Sequence, residues 1–266
     1  DGACATAGAG VVGPGDAYAY LGASSWIAYI SREPLYDPAQ RTFTFAHLDP
    51  DYLFPTGTMQ CAGGSFDWLE RLYRGGGEGA LYDEMEEQAA GAAAGAGGLL
   101  FLPYLIGERS PHWNPHARGA FVGLTLRHDK RHMVRSVLEG VAYSLRDCVE
   151  LFRDLNVPIQ QVRAVGGGAR SDVWRQIMAD VFGTEMVTIN VTDSTAYGAA
   201  LLAGVGSNVY GSVPEACQAS IRITDRIEPI AANQSIYNEY YPVYRTLYHA
   251  LEPAFSSISA TDQGNA

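Results

Sequence analysis

Residues 159–191 read IQQVRAVGGGARSDVWRQIMADVFGTEMVTINV, and this stretch decides the fold class. β-Compatible residues predict a strand over 159–165, three glycines predict a turn at 166–168, and an apolar face predicts a helix over 171–182. A second strand is expected over 186–191. The alternation of strand, turn and helix predicts an α/β domain in which helices pack on a sheet.

The segments on either side continue this pattern. Further strands and helices are expected over 17–30, 43–59, 63–73, 99–105, 120–125, 195–203 and 236–255. The clearest helix is predicted to begin after Asp129, whose carboxylate can cap the first turn, and its apolar stripe extends to Phe152. Residues 89–98, almost all Ala and Gly, suggest a frayed helix end and a flexible loop. Residues 255–266 are predicted to form a flexible tail.

The composition is that of a globular protein with a substantial core. The chain has 266 residues, of which 47% are hydrophobic and 18% are charged, and its formal net charge is -11. This excess of carboxylates argues against nucleic acid or an anionic membrane as a general partner. No apolar run reaches the roughly 18 residues that a membrane span needs. We therefore expect a soluble domain.

The cysteines Cys4, Cys61, Cys148 and Cys217 are widely spaced and form no Cys-x-x-Cys pair. We interpret them as reduced core residues of a cytoplasmic protein, with disulfide pairing as the alternative. The sequence begins at Asp1, inside a stretch rich in Gly and Ala, so a fragment or a processed chain is expected.

Three turns of small residues are candidates for an anion site. A glycine turn between a strand and a helix brings backbone N–H groups and the positive helix end toward an anion. Residues 166–168 have that context, residues 63–65 also precede a helix, and residues 22–25 add hydroxyl groups. Each turn alone is equally consistent with an ordinary chain reversal, but three in one α/β chain favour a phosphate or nucleotide site. The sequence has no Walker GxxxxGK[ST] motif.

Several segments resemble the FGGY carbohydrate kinases. Residues 119–124, GAFVGL, are followed after seven residues by HMVRSVLE at 132–139, and this pattern is similar to the C-terminal signature of that family. Segments that resemble the xylulokinases most, and gluconate kinases next, are YLIGERSPH at 104–112, GGGARS at 166–171 and AYGAA at 196–200. The similarity covers the chain from Asp1 to about Ala250.

The resemblance implies an actin-like, ribonuclease-H-like ATPase lobe, with a mixed β-sheet and helices on both faces. Residues 1–254 would form the C-terminal nucleotide-binding domain, and the N-terminal lobe, which carries most sugar contacts, has no counterpart here. The implied activity is ATP-dependent phosphorylation of a small sugar or polyol, with D-xylulose expected as the substrate. The alternatives are gluconate or another polyol, or a nucleotide-binding module without catalysis.

The resemblance also implies a catalytic base and a nucleotide site. Asp1 would accept the proton of the sugar hydroxyl that attacks the γ-phosphorus of ATP. The implied nucleotide-binding residues are Gly22, Ala23, Ser24, Gly63, Asp67, Gly167, Gly168 and Asp172. Ala23 replaces the family's usual Thr, so backbone amides or Ser24 would supply the donors. The alternatives are a frayed terminus without a role for Asp1, and favourable dipole chemistry at a helix start for Asp172.

The partners implied are ATP or ADP, with Mg²⁺ arriving on the nucleotide and keeping most of its waters. We expect no metal held by the protein alone. His128 and His132 are four residues apart, but beside Asp129 they indicate a solvated helix start more than a zinc site. The sugar would be bound mainly by the N-terminal lobe, and we expect the present lobe to be inactive alone. A homodimer is left open.

Overall fold

A seven-stranded mixed sheet forms the centre of the computed structural model, which describes residues 1–75 and 79–263. The strands described are β1 (Ala17–Leu21), β2 (Ser25–Tyr29), β3 (Phe43–Ala46), β4 (Leu53–Met59), β5 (Leu100–Leu102), β6 (Ala120–Val122), β7 (Gln161–Val165), β8 (Glu185–Ile189) and β9 (Ile223–Ile227). The sheet order is β3-β4-β2-β1-β7-β8-β9, and β5 pairs with β6 separately. Strand β7 is parallel to β1 and β8, whereas the other neighbours are antiparallel.

Helices cover both faces of this sheet. The described α-helices are α1 (Gly2–Gly8), α2 (Gly63–Arg74), α3 (Tyr82–Ala90), α4 (Lys130–Asp154), α5 (Asp172–Phe182), α6 (Ser194–Gly206), α7 (Val213–Ser220) and α8 (Ala231–Gln263). Along β1, Ala17, Ala19 and Leu21 join the core built with α4, α5 and α8. Tyr18 points to the opposite face, where it forms a second cluster with Ala9 at the end of α1. The period of two along a strand therefore supplies both cores, as predicted for a mixed sheet between helices.

Helix α4 forms the spine of the larger core. Its residues Val134, Val137, Val141 and Leu145 are fully buried at helical spacing. The predicted cap is confirmed, because the Asp129 carboxylate accepts hydrogen bonds from the backbone N–H groups of Arg131 and His132. In turn, the backbone N–H group of Asp129 donates to Nδ1 of the His132 ring at 3.2 Å. This reciprocal box fixes the start of the helix.

Helices α1 and α6 approach until their backbones touch. A Cβ atom added at Gly8 would overlap the carbonyl oxygen of Ser194, and one added at Gly198 would overlap that of Cys4. The small-residue face that the sequence predicts for such an approach, Ala196, Ala199, Ala200 and Ala203, is instead exposed, whereas Gly8 and Gly198 make the contact. These two positions admit only glycine unless the helices separate.

Three parts of the sequence interpretation differ from the structure. Strands β5 and β6 are shorter than expected, because Pro103 lacks an N–H group and Gly123 adopts a φ of 97°. The stretch 89–98, expected as a frayed helix end and a flexible loop, does contain the end of α3, but the expected loop includes a 3₁₀ turn at Ala96–Gly98. Elements α1, α7 and β9 were not predicted at all.

The expected tail is the end of a helix. Helix α8 continues to Gln263, and residues 264–266 lie outside the described residues. Phe255 and Ser259 are buried, and the Ser259 hydroxyl lies 2.8 Å from Nδ1 of His116. These contacts hold the last turns against the domain, so helical structure replaces the frayed end that the polar composition suggested.

Two expectations concern the cysteines and the membrane. All four cysteines are free in the structure. Within residues 1–75 and 79–263, no helix combines the length and the hydropathy of a membrane span.

The contact between α1 and α6 generates a stability prediction. Gly198→Ala should lower the free energy of unfolding by about 1–3 kcal/mol, because its methyl group forces two packed helices apart. The matched control is Gly206→Ala in the same helix, where an added Cβ meets no atom within 4 Å. Urea denaturation of both variants measures the difference. Equal stability of the two variants would contradict the close approach.

Candidate functional site

A cavity of about 470 Å³ opens at the carboxyl end of β1. Residues from all three small-residue turns line it, namely Gly22 and Ala23, Gly63, and Gly167 with Gly168. The remaining lining residues are Leu21, Phe66, Asp67, Tyr82, Asp83, Glu86, Leu138, Arg170, Ser171 and Trp174. Turns that lie up to 146 positions apart in sequence, from 22 to 168, therefore meet around one space.

The first turn is held by the backbone of the segment before α2. The N–H groups of Ala62 and Gly64 donate to the carbonyl oxygen of Ala23, at 2.8 and 3.0 Å, and Gly63 donates to Gly22 at 2.9 Å. A Cβ atom at Gly63 would lie 2.6 Å from the Gly22 oxygen, so only glycine allows this approach. Within the described residues, the amides of Ala23 and Ser24 donate to no protein acceptor. The tip of the turn thus has two N–H groups without a protein acceptor, and of these two residues Ala23 lines the cavity.

The glycine run 166–168 packs against the end of β1. Gly166 has a φ of 91°, and a Cβ atom there would lie 2.7 Å from the carbonyl oxygen of Leu21. A Cβ atom at Gly168 would lie 2.7 Å from the ring of Trp174. The 3₁₀ turn Gly167–Arg170 then leads into α5, which Ser171 caps by accepting from the Trp174 N–H group. The start of α5 consequently faces the cavity beside an aromatic ring.

Aromatic rings form one wall of the cavity. The centroid of the Phe66 ring lies 6.0 Å from that of Tyr82, with an interplanar angle of 24°, and 6.4 Å from that of Trp174, with an interplanar angle of 31°. Tyr82 donates its hydroxyl to Oδ1 of Asp67 at 2.9 Å, which joins α3 to α2. A flat apolar wall with polar groups at its edge suits a planar heterocycle.

Sequence reasoning missed most of this wall. Trp174 lies in the helix predicted over 171–182 and had no site role assigned to it, and Phe66 stands one position before the predicted Asp67. Tyr82, Asp83 and Glu86 come from α3, which the sequence did not predict as a helix. Their side chains reach the cavity through the packing of α3 on α4 and α5, and no local motif marks that packing.

Three predicted site residues do not line the cavity. Asp172 is paired with Arg175, which also binds Asp225 at 2.8 Å, and it borders a separate groove beside Ala90. Ser24 is exposed at the tip of the first turn. Asp1 is exposed at the start of α1, where its carboxylate forms no capping hydrogen bond. Their functional roles stay predictions.

One buried carboxyl is connected to the residues that hold the first turn. Glu108 is only 3% exposed, and its Oε1 accepts from the backbone N–H groups of Gln60 at 2.9 Å and Arg109 at 2.7 Å. Its Oε2 is buried and has no partner among the described residues. Burial raises the pKa of Glu108 to about 8, although the two amide bonds and the Arg109 charge oppose this shift.

The raised pKa of Glu108 predicts a pH-dependent stability. Between its ordinary pKa of 4.5 and the folded value of about 8, the folded chain binds this proton more tightly than the unfolded chain does. The stabilisation is therefore complete at low pH and is lost as the pH rises toward 8. Glu108→Gln does not titrate, so its unfolding free energy relative to wild type should increase by a few kcal/mol from about pH 5 to about pH 8.5. Urea denaturation at both pH values gives this difference, and a constant difference would contradict the raised pKa.

The chain matches the family described as "FGGY family of carbohydrate kinases, C-terminal domain" over residues 17–207. It is 33% identical to the xylulose kinase of Bacillus subtilis (strain 168) over 251 residues, which cover 93% of this chain and 49% of the relative. It is also 33% identical to the gluconokinase of the same strain over 272 residues, which cover 99% of this chain and 53% of that protein.

Solved structures agree with these sequence matches. The crystal structure of xylulose kinase from Rhodospirillum rubrum superposes with a TM-score of 0.84 at 33% identity, and covers 96% of this chain and 51% of that one. The chain thus spans about half the length of the relatives it matches. The expected fold class, an actin-like and ribonuclease-H-like ATPase lobe, is confirmed by these neighbours. The chain belongs to the FGGY family of carbohydrate kinases and carries the fold of its C-terminal domain.

Proposed function

We propose that this chain is the nucleotide-binding domain of an ATP-dependent sugar kinase, with D-xylulose as the sugar. The observation that carries the proposal is the meeting of three glycine turns around one cavity. Free backbone amides and a helix start favour phosphate, and the aromatic wall favours a base, so the cavity combines the two parts of a nucleotide.

The first turn supplies the phosphate side of the proposed site. In the turn that begins at Gly22, the backbone N–H groups of Ala23 and Ser24 are free. They would donate to the phosphate oxygens on which negative charge develops during phosphoryl transfer. Because Ala23 has no hydroxyl, the backbone and the Ser24 side chain carry this role. Asp1 would take the proton of the attacking sugar hydroxyl, and its exposure leaves its carboxylate free to do so.

The glycine run and the aromatic wall supply the adenosine side. Gly167 and Gly168 bring backbone close to the ligand, and Trp174 closes the space beside them. Gly63 and Asp67 border the same space between the two ends of the nucleotide. The assignment of Asp172 to the adenosine contact rests on the family resemblance, since its carboxylate is paired with Arg175.

Mg²⁺ fits this site as a hydrated ion carried by the nucleotide. The cavity contains the carboxylates of Asp67, Asp83 and Glu86, and carboxylates are oxygen ligands of the kind that Mg²⁺ prefers. Within the described residues, no group of three or more His, Cys, Asp or Glu side chains is arranged to hold a metal. When bound, the ion would neutralise phosphate charge.

The identity of the sugar rests on the relatives. Xylulose kinases from several bacteria match the chain at 28–33% identity, which favours D-xylulose. Gluconate is the second candidate, because the gluconokinase of Bacillus subtilis matches 99% of the chain at 33% identity. Most sugar contacts would come from a second lobe. The free cysteines support a cytoplasmic location, and a homodimer stays a prediction.

The proposed nucleotide site predicts stabilisation by Mg-ADP. Ligand at about 100 times its dissociation constant should add roughly 2.7 kcal/mol to the stability, which raises the melting temperature by several degrees. Gly63→Ala should reduce this shift, because its methyl group displaces the first turn from its hydrogen bonds. Differential scanning fluorimetry with increasing Mg-ADP measures both effects.

The control for this experiment is Gly206→Ala, the same chemical change at an open position far along α6. It should keep the full ADP-dependent shift. Absence of any shift for the wild-type chain at millimolar ADP would contradict the nucleotide site.

Catalysis is tested in a protein that joins this domain to an N-terminal lobe. We expect turnover with D-xylulose and ATP, and a loss of about 10² to 10⁴ in kcat for Asp1→Asn, because the amide cannot accept the hydroxyl proton. A coupled assay of ADP release over a panel including gluconate measures this. If the Asp1→Asn variant keeps the full wild-type kcat, Asp1 is not the catalytic base.

A further inference from the structure

The position of the first turn depends on a short segment that we call the clasp, residues 60–64. Three of its amides hold the carbonyl oxygens of Gly22 and Ala23, and Gly63 itself lines the cavity. Ser65 reinforces the segment by donating its hydroxyl to the carbonyl oxygen of Cys61 at 2.8 Å. A displacement of the clasp would therefore move the two free amides of the turn.

Glu108 fixes the first residue of the clasp. Gln60 follows the end of β4, where the ladder with β2 stops at the Met59–Ser25 pair. The Gln60 N–H group donates to Oε1 of Glu108, which lies 48 positions further along the chain. The neighbouring loop is tied to the same strand, because the Ser110 N–H group donates to the carbonyl oxygen of Thr58 at 3.1 Å. Glu108 is thus the side-chain contact through which this loop holds the clasp.

The surroundings of Glu108 are unfavourable for a carboxyl group. Seven titratable groups interact electrostatically with Glu108. They come from its own loop, the clasp, α4, α8 and the segment after β5, and they are Arg109, Cys61, Asp147, Cys148, Tyr244, Tyr248 and Tyr104. Arg109 is the one cation among these seven groups. A buried carboxyl with one unpartnered oxygen destabilises a fold, so packing alone gives no reason for this side chain. The reason lies in Oε1, which accepts hydrogen bonds from the backbone N–H groups of Gln60 and Arg109.

We propose that Glu108 is a positioning residue for the nucleotide phosphates, acting through Gln60 and the clasp on the turn at residues 22–25. This inference rests on the proposed nucleotide site and adds a residue outside it. Since the turn faces the phosphates and Gly168 with Trp174 faces the base, Glu108 affects ligands with phosphates selectively. Adenosine, which lacks phosphates, reports on the base side alone.

The test compares the binding of Mg-ADP and of adenosine to the 266-residue chain by isothermal titration calorimetry at pH 7. Glu108→Ala removes the acceptor, and Glu108→Asp shortens the side chain by one methylene group while keeping a carboxyl group. Each should weaken ADP binding by about five- to tenfold, the equivalent of one hydrogen bond or slightly more, and leave adenosine within about twofold. Glu108→Gln keeps an acceptor oxygen on the amide and should retain ADP binding within about twofold.

Asp147→Ala is the matched control. Asp147 is a buried carboxyl that raises the pKa of Glu108, but its own hydrogen bond joins α4 to Tyr241 of α8 at 2.6 Å. Its replacement should not change the ratio of ADP to adenosine affinity. Thermal unfolding of each variant establishes that it is folded, and if Glu108→Ala fails to fold, Glu108→Asp decides the question.

Three outcomes overturn the proposal. Equal losses of ADP and adenosine affinity in the Glu108 variants would show a general structural role. Unchanged ADP affinity in both Glu108→Ala and Glu108→Asp would show that the clasp does not depend on this carboxyl. If the wild-type chain binds neither ligand, the proposed nucleotide site is wrong and this inference fails with it. That result differs from the other two outcomes, in which the wild-type chain binds its ligands.

Discussion

The cavity depends on backbone contacts that only glycine permits. The carbonyl oxygen of Gly22 receives the amide of Gly63, and the carbonyl oxygen of Leu21 lies against Gly166. A side chain at Gly63 or Gly166 would separate β1 from its neighbours at the point where the strand ends. The sheet brings the three turns to one edge, and the glycines allow the backbones of these turns to approach to contact distance. Chemistry at this edge is therefore set by backbone amides and helix starts, with side chains placed around them.

Much of the fold follows from local patterns. The strands around the turn at 22–25, the helix capped by Asp129 and the strand-turn-helix unit after Gln161 each have a strong periodic signal and a clear boundary residue. The failures come from tertiary contacts. Residues 256–258, 260 and 261 are exposed, and this segment stays helical because Phe255 and Ser259 are buried against the domain. Strand β5 ends early at Pro103, a boundary that the apolar run 99–105 concealed.

The candidate site was predictable in its glycines and less so in its side chains. Gly22, Gly63 and Gly168 have local signatures, because a turn between regular elements requires them. Tyr82 and Trp174 have none, since their role as a wall depends on how α3 and α5 pack beside α4. For Asp172, the resemblance implied an adenosine contact and the helix start suggested dipole chemistry as the alternative. In the structure its carboxylate pairs with the guanidinium of Arg175, three residues away on the same helix, and the adenosine contact stays a prediction.

The central claim is that the three turns bind one nucleotide, and ¹⁵N-labelled NMR spectroscopy tests it most directly. Titration of the chain with Mg-ADP should shift the amide signals of Ala23, Ser24, Gly63, Gly167 and Gly168 together, with one dissociation constant, and leave the amide of Gly206 unchanged. Shifts confined to one turn, or saturating at different ADP concentrations for different turns, would contradict a single site.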